Sequence, residues 1–256
     1  DQVEFHSGRS DLPDGGVAGG SGHTASAGQA LSNAGSDVIA QLSEIAVNDP
    51  DSPLFGTGNI GVMAGEGRLY RRDDETRSET YAEILARAGR AELVGSGKSG
   101  RDPASADQFA MNSHGAVFAE VKIDPALMQV KVTRLVGAFA AGRIINPKLV
   151  RSQYFGGMIW GISFALQEEA LADRRTGRIM NADLAEYHVP VNADVPAMEA
   201  ILVPEDDPHV SPLGIKGVGE IGVTGTVGAI ANAVWHATGI RTRKYPIRLE
   251  DLLARR

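Results

Sequence analysis

The chain has 256 residues and no cysteine, with 25 Lys and Arg against 32 Asp and Glu for a net charge of −7. These values exclude a disulfide scaffold, a thiolate nucleophile and any zinc or iron–sulfur site held by the chain's own sulfur. An acidic balance also argues against neutralising phosphates, so no nucleic-acid partner is expected. Hydrophobic residues make up 43 %, enough for a packed core, and no apolar run reaches the ~18 residues of a membrane span. Glycine supplies 31 residues, well above the usual ~7 %, which points to backbone brought close to something in loops. Asp1 to His6 show no basic stretch followed by an apolar one and no initiator Met. No signal peptide is visible, and a cytoplasmic setting is expected, with a periplasmic one as the alternative.

In chain order, Asp11 to Gly22 is turn chemistry and reads as a long loop. A helix follows from about Thr24, with Ala30, Leu31, Ala34, Val38, Ile39 and Leu42 at helical spacing. Residues 47–60 read as loop, and Val62 to Arg72 as a hairpin around Gly65-Glu66-Gly67. Thr80 with Glu83 forms a capping-box pattern that opens a short helix from Tyr81 to Ala88, closed by Gly89. Residues 95–107 are polar and glycine-rich, a flexible connector between an N-terminal and a C-terminal lobe. Two strands are expected over Ala116–Ile123 and Gln129–Val136.

Asn146 followed by Pro147 marks a helix start. Val150, Tyr154, Met158 and Ile162 then share one face as far as about Glu168. A strand over Ala200–Val203 and a helix over Val227–Thr238 complete the pattern, the helix packing Val227, Ile230, Ala231, Val234 and Trp235 and stopping at Gly239. Strands and helices mix without strict alternation, which gives an α+β class with mixed sheets and packed helices.

Several motifs fail on their surroundings. Gly97-Lys98-Ser99 suggests a phosphate loop, but Glu92 stands where that loop needs glycine, and Pro103 follows where its helix should begin. Gly217-Val218-Gly219-Glu220-Ile221-Gly222 matches the dinucleotide fingerprint literally. Pro204, Pro208 and Pro212 crowd its approach, however, and no acidic residue follows until Glu250. No two histidines stand four apart, no nucleophile elbow occurs, and no residue of the chain is a candidate metal ligand.

What survives is the loop Gly214 to Gly222 itself. Four glycines let the backbone approach a bulky ligand, and Glu220 would become a credible general base where that ligand strips its water. On residue chemistry alone the same stretch also reads as a turn before a helix, with Glu220 favouring the positive helix end.

Four stretches carry a resemblance. They are Leu12-Pro13 through Gly19-Gly20-Ser21-Gly22-His23-Thr24-Ala25-Ser26, Phe118 to Asp124, Gly142-Arg143-Ile144-Ile145-Asn146-Pro147 leading into Ser152-Gln153-Tyr154-Phe155-Gly156-Gly157, and Gly217 to Gly222 with Ile230 to Val234. Together they resemble the C-terminal part of the molybdenum-binding subunit of the xanthine dehydrogenase/aldehyde oxidoreductase family. The resemblance implies the second molybdopterin-binding domain of a molybdenum hydroxylase, which oxidises aldehydes or hydroxylates N-heterocycles with water as the oxygen source. It places the family's glutamate, the base toward the molybdenum-bound hydroxide, on Glu220. It places pterin contacts on Gly20, Ser21, Gly22, His23, Thr24, Ala25, Ser26 and Gln153, with Gly217 and Gly219 lining the approach.

The implied cofactor is molybdenum–molybdopterin in its cytosine dinucleotide form, with FAD and 2Fe-2S clusters on partner chains. The implied partners are the N-terminal half of the molybdenum subunit, an iron–sulfur subunit and an FAD subunit, without which the chain is not expected to be active. The alternative is a non-catalytic assembly chain of such a complex.

Overall fold

A computed structural model describes residues 3–100 and 107–253. The chain divides into two compact units, Ser26–Asp102 and a larger one joining Asp1–Ala25 to Pro103–Arg256. The division falls inside the first helix.

The smaller unit holds most of α1 (His23–Asn48), a three-stranded antiparallel sheet β1 (Val62–Gly65), β2 (Arg68–Arg71) and β3 (Asp74–Thr80), and α2 (Tyr81–Arg87). Its core gathers Leu42, Ala46, Leu54, Leu69 and Ile84. Helix α1 runs on to Asn48, and Leu31, expected on its apolar face, is exposed. The capping box forms as expected, Thr80 Oγ1 accepting from the Glu83 N–H while Glu83 takes the Thr80 N–H. Strand β3 was not anticipated because Asp-Glu-Thr-Arg-Ser-Glu-Thr contains no apolar residue. It is held by the β2 ladder and by buried Glu79, which accepts from Ser52 Oγ at 2.9 Å and pairs with Arg87.

The glycine-rich stretch expected as a flexible connector is, over 94–100, held along α1. Gln29, Asn33, Asp37 and Gln41 stand every fourth residue on one face of the helix. They bond in turn to Gly100 O, Lys98 O, Ser96 N–H and Val94 O at 2.8–3.1 Å. Gly95 and Gly97 permit this, since a Cβ at either would press into the helix backbone at Ala30 or Ala34. Residues 101–106, the rest of the expected connector, lie outside the described residues.

The larger unit is built on a sheet of order β4-β5-β6: β4 (His114–Ile123), β5 (Val130–Ala140) and β6 (Ala197–Leu202). β4 and β5 are antiparallel and β6 runs parallel to β5. The start of β4 and the ends of β5 and β6 therefore meet at one edge of the sheet. Helix α3 (Pro147–Leu166) begins as predicted, Asn146 Oδ1 accepting from the Leu149 N–H with proline at the first turn. Its predicted face, Val150, Tyr154, Met158 and Ile162, is buried with Leu135 and Phe139 of β5.

Two short helices, α4 (Ile221–Thr224) and α6 (Leu249–Leu253), flank α5 (Thr226–Thr238). The last ends at Gly239 in the left-handed conformation, φ 71°. Trp235, expected in the core, is 44 % exposed, and its ring lies 4.4 Å from the Arg241 guanidinium instead. The class is α+β, as the sequence indicated.

Candidate active site

The loop 214–222 is positioned from both ends. At its start, the Arg143 N–H donates to Gly214 O at 2.7 Å, and Ile215 bridges Gly142 just beyond β5. Gly142 has φ +64°, and a Cβ there would strike Gly214 O, so glycine is required. Ser113 Oγ donates to Gly217 O at 2.7 Å.

At the loop's end, Gly222 lies against α3. A Cβ on Gly222 would sit 2.8 Å from Tyr154 O, and one on Gly157 would sit 2.9–3.0 Å from the Gly222 backbone. Thr226 Oγ1 donates to Gly222 O at 2.8 Å, and its methyl fills the notch left by Gly161. The glycines of α3 thus act as a seat for backbone.

Between these anchors stands Glu220, next to two glycines. A Cβ on Gly217 would lie 2.9–3.0 Å from Ser21 O and Cβ. One on Gly219 would lie 3.0 Å from Ser21 Oγ and 3.5 Å from Gln153 Oε1. Ser21 Oγ donates to Glu220 Oε2 at 3.0 Å. Ser21 adopts φ 61° directly after Gly20 at φ 59°, a conformation that costs a non-glycine residue roughly 1 kcal/mol or more and is tolerated where the surroundings fix it. The structure therefore brings together Ser21, Gln153, Gly217, Gly219 and Glu220.

The other predicted residues lie beside this group along the chain. Gly20 is part of the turn, and the Gly22 N–H closes that turn onto Gly19 O. His23, Thr24 and Ala25 open α1, whose first turn carries no acidic residue. Ser26 is the first residue of the smaller unit. Glu220 is exposed among the described residues, so the desolvation expected of a general base is not supplied by them.

Sequence reasoning missed the groups that hold the loop. Lys216 is buried, its Nζ 2.7 Å from Glu205 Oε1, 2.9 Å from Asp207 Oδ2 and 3.2 Å from Asn112 O. Glu205 also accepts the Gly142 N–H at 2.6 Å. Burial alone would lower the ammonium's pKa, but bonds to the two carboxylates outweigh it and the net shift is upward. For Glu205, burial pushes upward, yet the Lys216 bond and the Gly142 N–H bring it below its usual value. Asp207 is lowered chiefly by its bond to Lys216.

Tyr154, next to Gln153, is fully buried on Phe139 with ring centroids 4.3 Å apart, and its hydroxyl has no hydrogen-bond partner among the described residues. Burial, and then the Glu205 charge, push its pKa up to about 12. The only sequence hint of the cluster is Glu205-Asp206-Asp207 ahead of a lysine in an apolar, glycine-rich run, a pattern that also suits a solvated surface.

A groove of about 750 Å³ in this unit is lined by Asp124, Met128, Ile162 and Ile247 among others and contains no predicted site residue. Among the described residues no three His, Asp or Glu side chains gather as a metal site. No helix among them is long and apolar enough to cross a membrane.

The Ser21–Gln153–Glu220 group fits a pterin in its chemistry. Two glycines let Ser21 close onto the loop, an amide that both donates and accepts stands beside Gly219, and a hydroxyl lies beside a carboxylate. Residues 1–196 match the molybdopterin cofactor-binding domain, a stretch that includes Gly20 to Ser26 and Gln153 and stops short of Glu220. The aldehyde oxidoreductase molybdenum-binding subunit PaoC of Escherichia coli K12 is 40 % identical over 256 residues, covering 99 % of this chain and 32 % of that protein. The 6-hydroxypseudooxynicotine dehydrogenase complex subunit gamma of Paenarthrobacter nicotinovorans is 26 % identical over 98 % of this chain and 31 % of its own length.

Two solved structures share the fold. CO dehydrogenase from Oligotropha carboxidovorans has a TM-score of 0.72 at 21 % identity, over 93 % of this chain and 29 % of that one. Quinoline 2-oxidoreductase from Pseudomonas putida 86 has a TM-score of 0.70 at 21 % identity, over 85 % and 28 %. The chain spans about a third of the length of the curated relatives it matches.

Proposed function

The chain belongs to the molybdopterin cofactor-binding domain family of molybdenum hydroxylase subunits, and we propose that it supplies the general base and part of the pterin site of an aldehyde-oxidising enzyme. The observation that carries this reading is the convergence of Ser21, Gln153 and Glu220 around Gly217 and Gly219, from three separated stretches of sequence. When bound, the molybdenum–molybdopterin group supplies the two-electron oxidation of a carbon centre with water as the source of oxygen.

The chain's own residues bind, orient and move a proton. Gln153 presents its amide to the pterin edge, both donating and accepting. Gly217 and Gly219 admit the Ser21 turn against the loop, which sets Ser21 beside Glu220. Glu220 takes up the proton released from water at its carboxylate, with Oε2 held by Ser21 Oγ so that the group faces the cofactor in one orientation. Water is excluded from Glu220 by the bound cofactor and by the remainder of the enzyme. The cytosine dinucleotide form and the FAD and iron–sulfur partners form part of this proposal, and its aldehyde substrate is favoured by the likeness to PaoC, an aldehyde oxidoreductase subunit.

Molybdenum and pterin content of the full enzyme tests the binding role. Gln153→Ala is expected to lower both together while the fold is kept. Full cofactor occupancy in Gln153→Ala and in Ser21→Ala would contradict it and favour an assembly role.

A further inference from the structure

Among the described residues of the larger unit, Lys216 is the buried cation, its side chain 4 % exposed. Its three partners come from two places: Asn112 just ahead of β4, and Glu205 and Asp207 just beyond β6. Through Glu205 it reaches a third, the Gly142 N–H beyond β5. All lie at the edge of the sheet where β4 starts and β5 and β6 end. The loop carrying Glu220 departs from that same edge, with Ile215 bridged to Gly142 and Gly217 O bonded to Ser113.

A buried ion cluster is a poor way to gain stability, because desolvating its charges consumes most of what their attraction returns. What it does supply is direction: an ammonium bonded to three fixed oxygens accepts one placement of its own backbone. An apolar side chain of the same size would fill the space and leave the loop free to slide.

We propose that Lys216 is the positioning residue for Glu220, its ammonium locking the start of the 214–222 loop to the sheet edge as the Gly157–Gly222 contact locks its end. The proposal rests on the reading of Glu220 as the base. With the loop pinned at both ends, the Gly219 backbone is held against Ser21 and the carboxylate is presented in one orientation.

The test uses the full enzyme with its partner subunits and three readouts: amide hydrogen exchange of 214–222, molybdenum content, and kcat and KM measured separately. Lys216→Met combined with Glu205→Gln and Asp207→Asn removes all three charges at once, so that none is left uncompensated. The expected result is exchange over 214–222 at least ~10-fold faster with β5 unchanged, full molybdenum, an unaltered KM, and kcat reduced by roughly 10- to 100-fold, the scale of a misplacement near 1 Å. Glu205→Gln alone, a milder change, should shift the same quantities in the same direction if the combined variant does not fold, and Lys216→Arg should restore part of both.

Unchanged exchange and unchanged kcat would overturn the proposal and leave Lys216 a purely structural residue. Glu220→Gln separates the two ideas. If it abolishes turnover while the Lys216 variants leave kcat intact, the base stands and the positioning role falls. If it is silent, the reading of the base falls, and loop exchange alone decides whether Lys216 holds the loop.

Discussion

Two neighbouring glycines of α3, Gly156 and Gly157, separate helix propensity from backbone seating in a single pair of substitutions. Both are helical, so alanine at either reduces the freedom of the unfolded chain and contributes about 1 kcal/mol. At Gly156 a new Cβ meets nothing within 4 Å among the described residues, and Gly156→Ala should raise stability by about that amount. At Gly157 the Cβ would lie 2.9 Å from Gly222 Cα and 3.0 Å from Gly222 C and Val223 N. These are backbone atoms, fixed in turn by Thr226, so they cannot rotate away. Relief requires shifting α4 away from α3, an overpacking cost of about 1–3 kcal/mol.

The difference between the two variants cancels the propensity gain and isolates the contact. It should amount to about 2 kcal/mol, or roughly 4–8 °C in Tm for a unit of this size. Thermal and urea unfolding of both variants, followed by far-UV circular dichroism, measures it. Because α4 follows Glu220 directly, Gly157→Ala should also lower turnover of the full enzyme while Gly156→Ala does not. Equal melting temperatures for the two variants would refute the seating argument.

The strap along α1 gives a second expectation. Gly97→Ala drives a Cβ into the Ala30 carbonyl and should release 94–100, seen as faster amide exchange of Ser96 and quicker proteolysis within 94–100. In the smaller unit, Thr80→Ala removes the Oγ1 half of the capping box, leaving the backbone N–H bond to Glu83, and should cost about 1 kcal/mol by urea unfolding. The Lys216 cluster predicts a pH dependence. Glu205 and Asp207 have lowered folded-state pKa values, so their contribution is complete above the usual carboxylate range near ~4 and fades as pH falls through the lowered values. Melting temperature measured from pH 7 to pH 3 should fall less steeply for Glu205→Gln than for the native chain.

Helices α3 and α5 were legible because their apolar spacing, the Asn146–Pro147 start and the Gly239 stop all point the same way. Trp235 breaks the pattern without breaking the helix. Its spacing places it with Ala231 and Val234, but its ring has a cation to lie against instead. Strand β3 was invisible because a polar strand carries no hydrophobic signal, and its pairing is decided by β2 and by buried Glu79. The 94–100 segment has linker composition, and only the four-residue spacing of Gln29, Asn33, Asp37 and Gln41 along α1 hints at the ladder that holds it. At the site, Glu220 and its glycines stood out because glycine density and a lone carboxylate are local features. The partnership with Ser21 and Gln153 came from resemblance, since nothing local couples residues so distant in sequence. Lys216 was missed because its carboxylates belong to a run that looks like surface.

The claim that Glu220 is the base is tested most directly by Glu220→Gln in the full enzyme, with molybdenum measured by elemental mass spectrometry and aldehyde turnover measured on the same sample. Glutamine keeps the size of the side chain and an oxygen for Ser21 to donate to, but it cannot take up a proton at neutral pH. The account predicts full molybdenum content with turnover reduced by about 10²–10⁴-fold, the contribution of a positioned general base. Native turnover with full molybdenum content would contradict it.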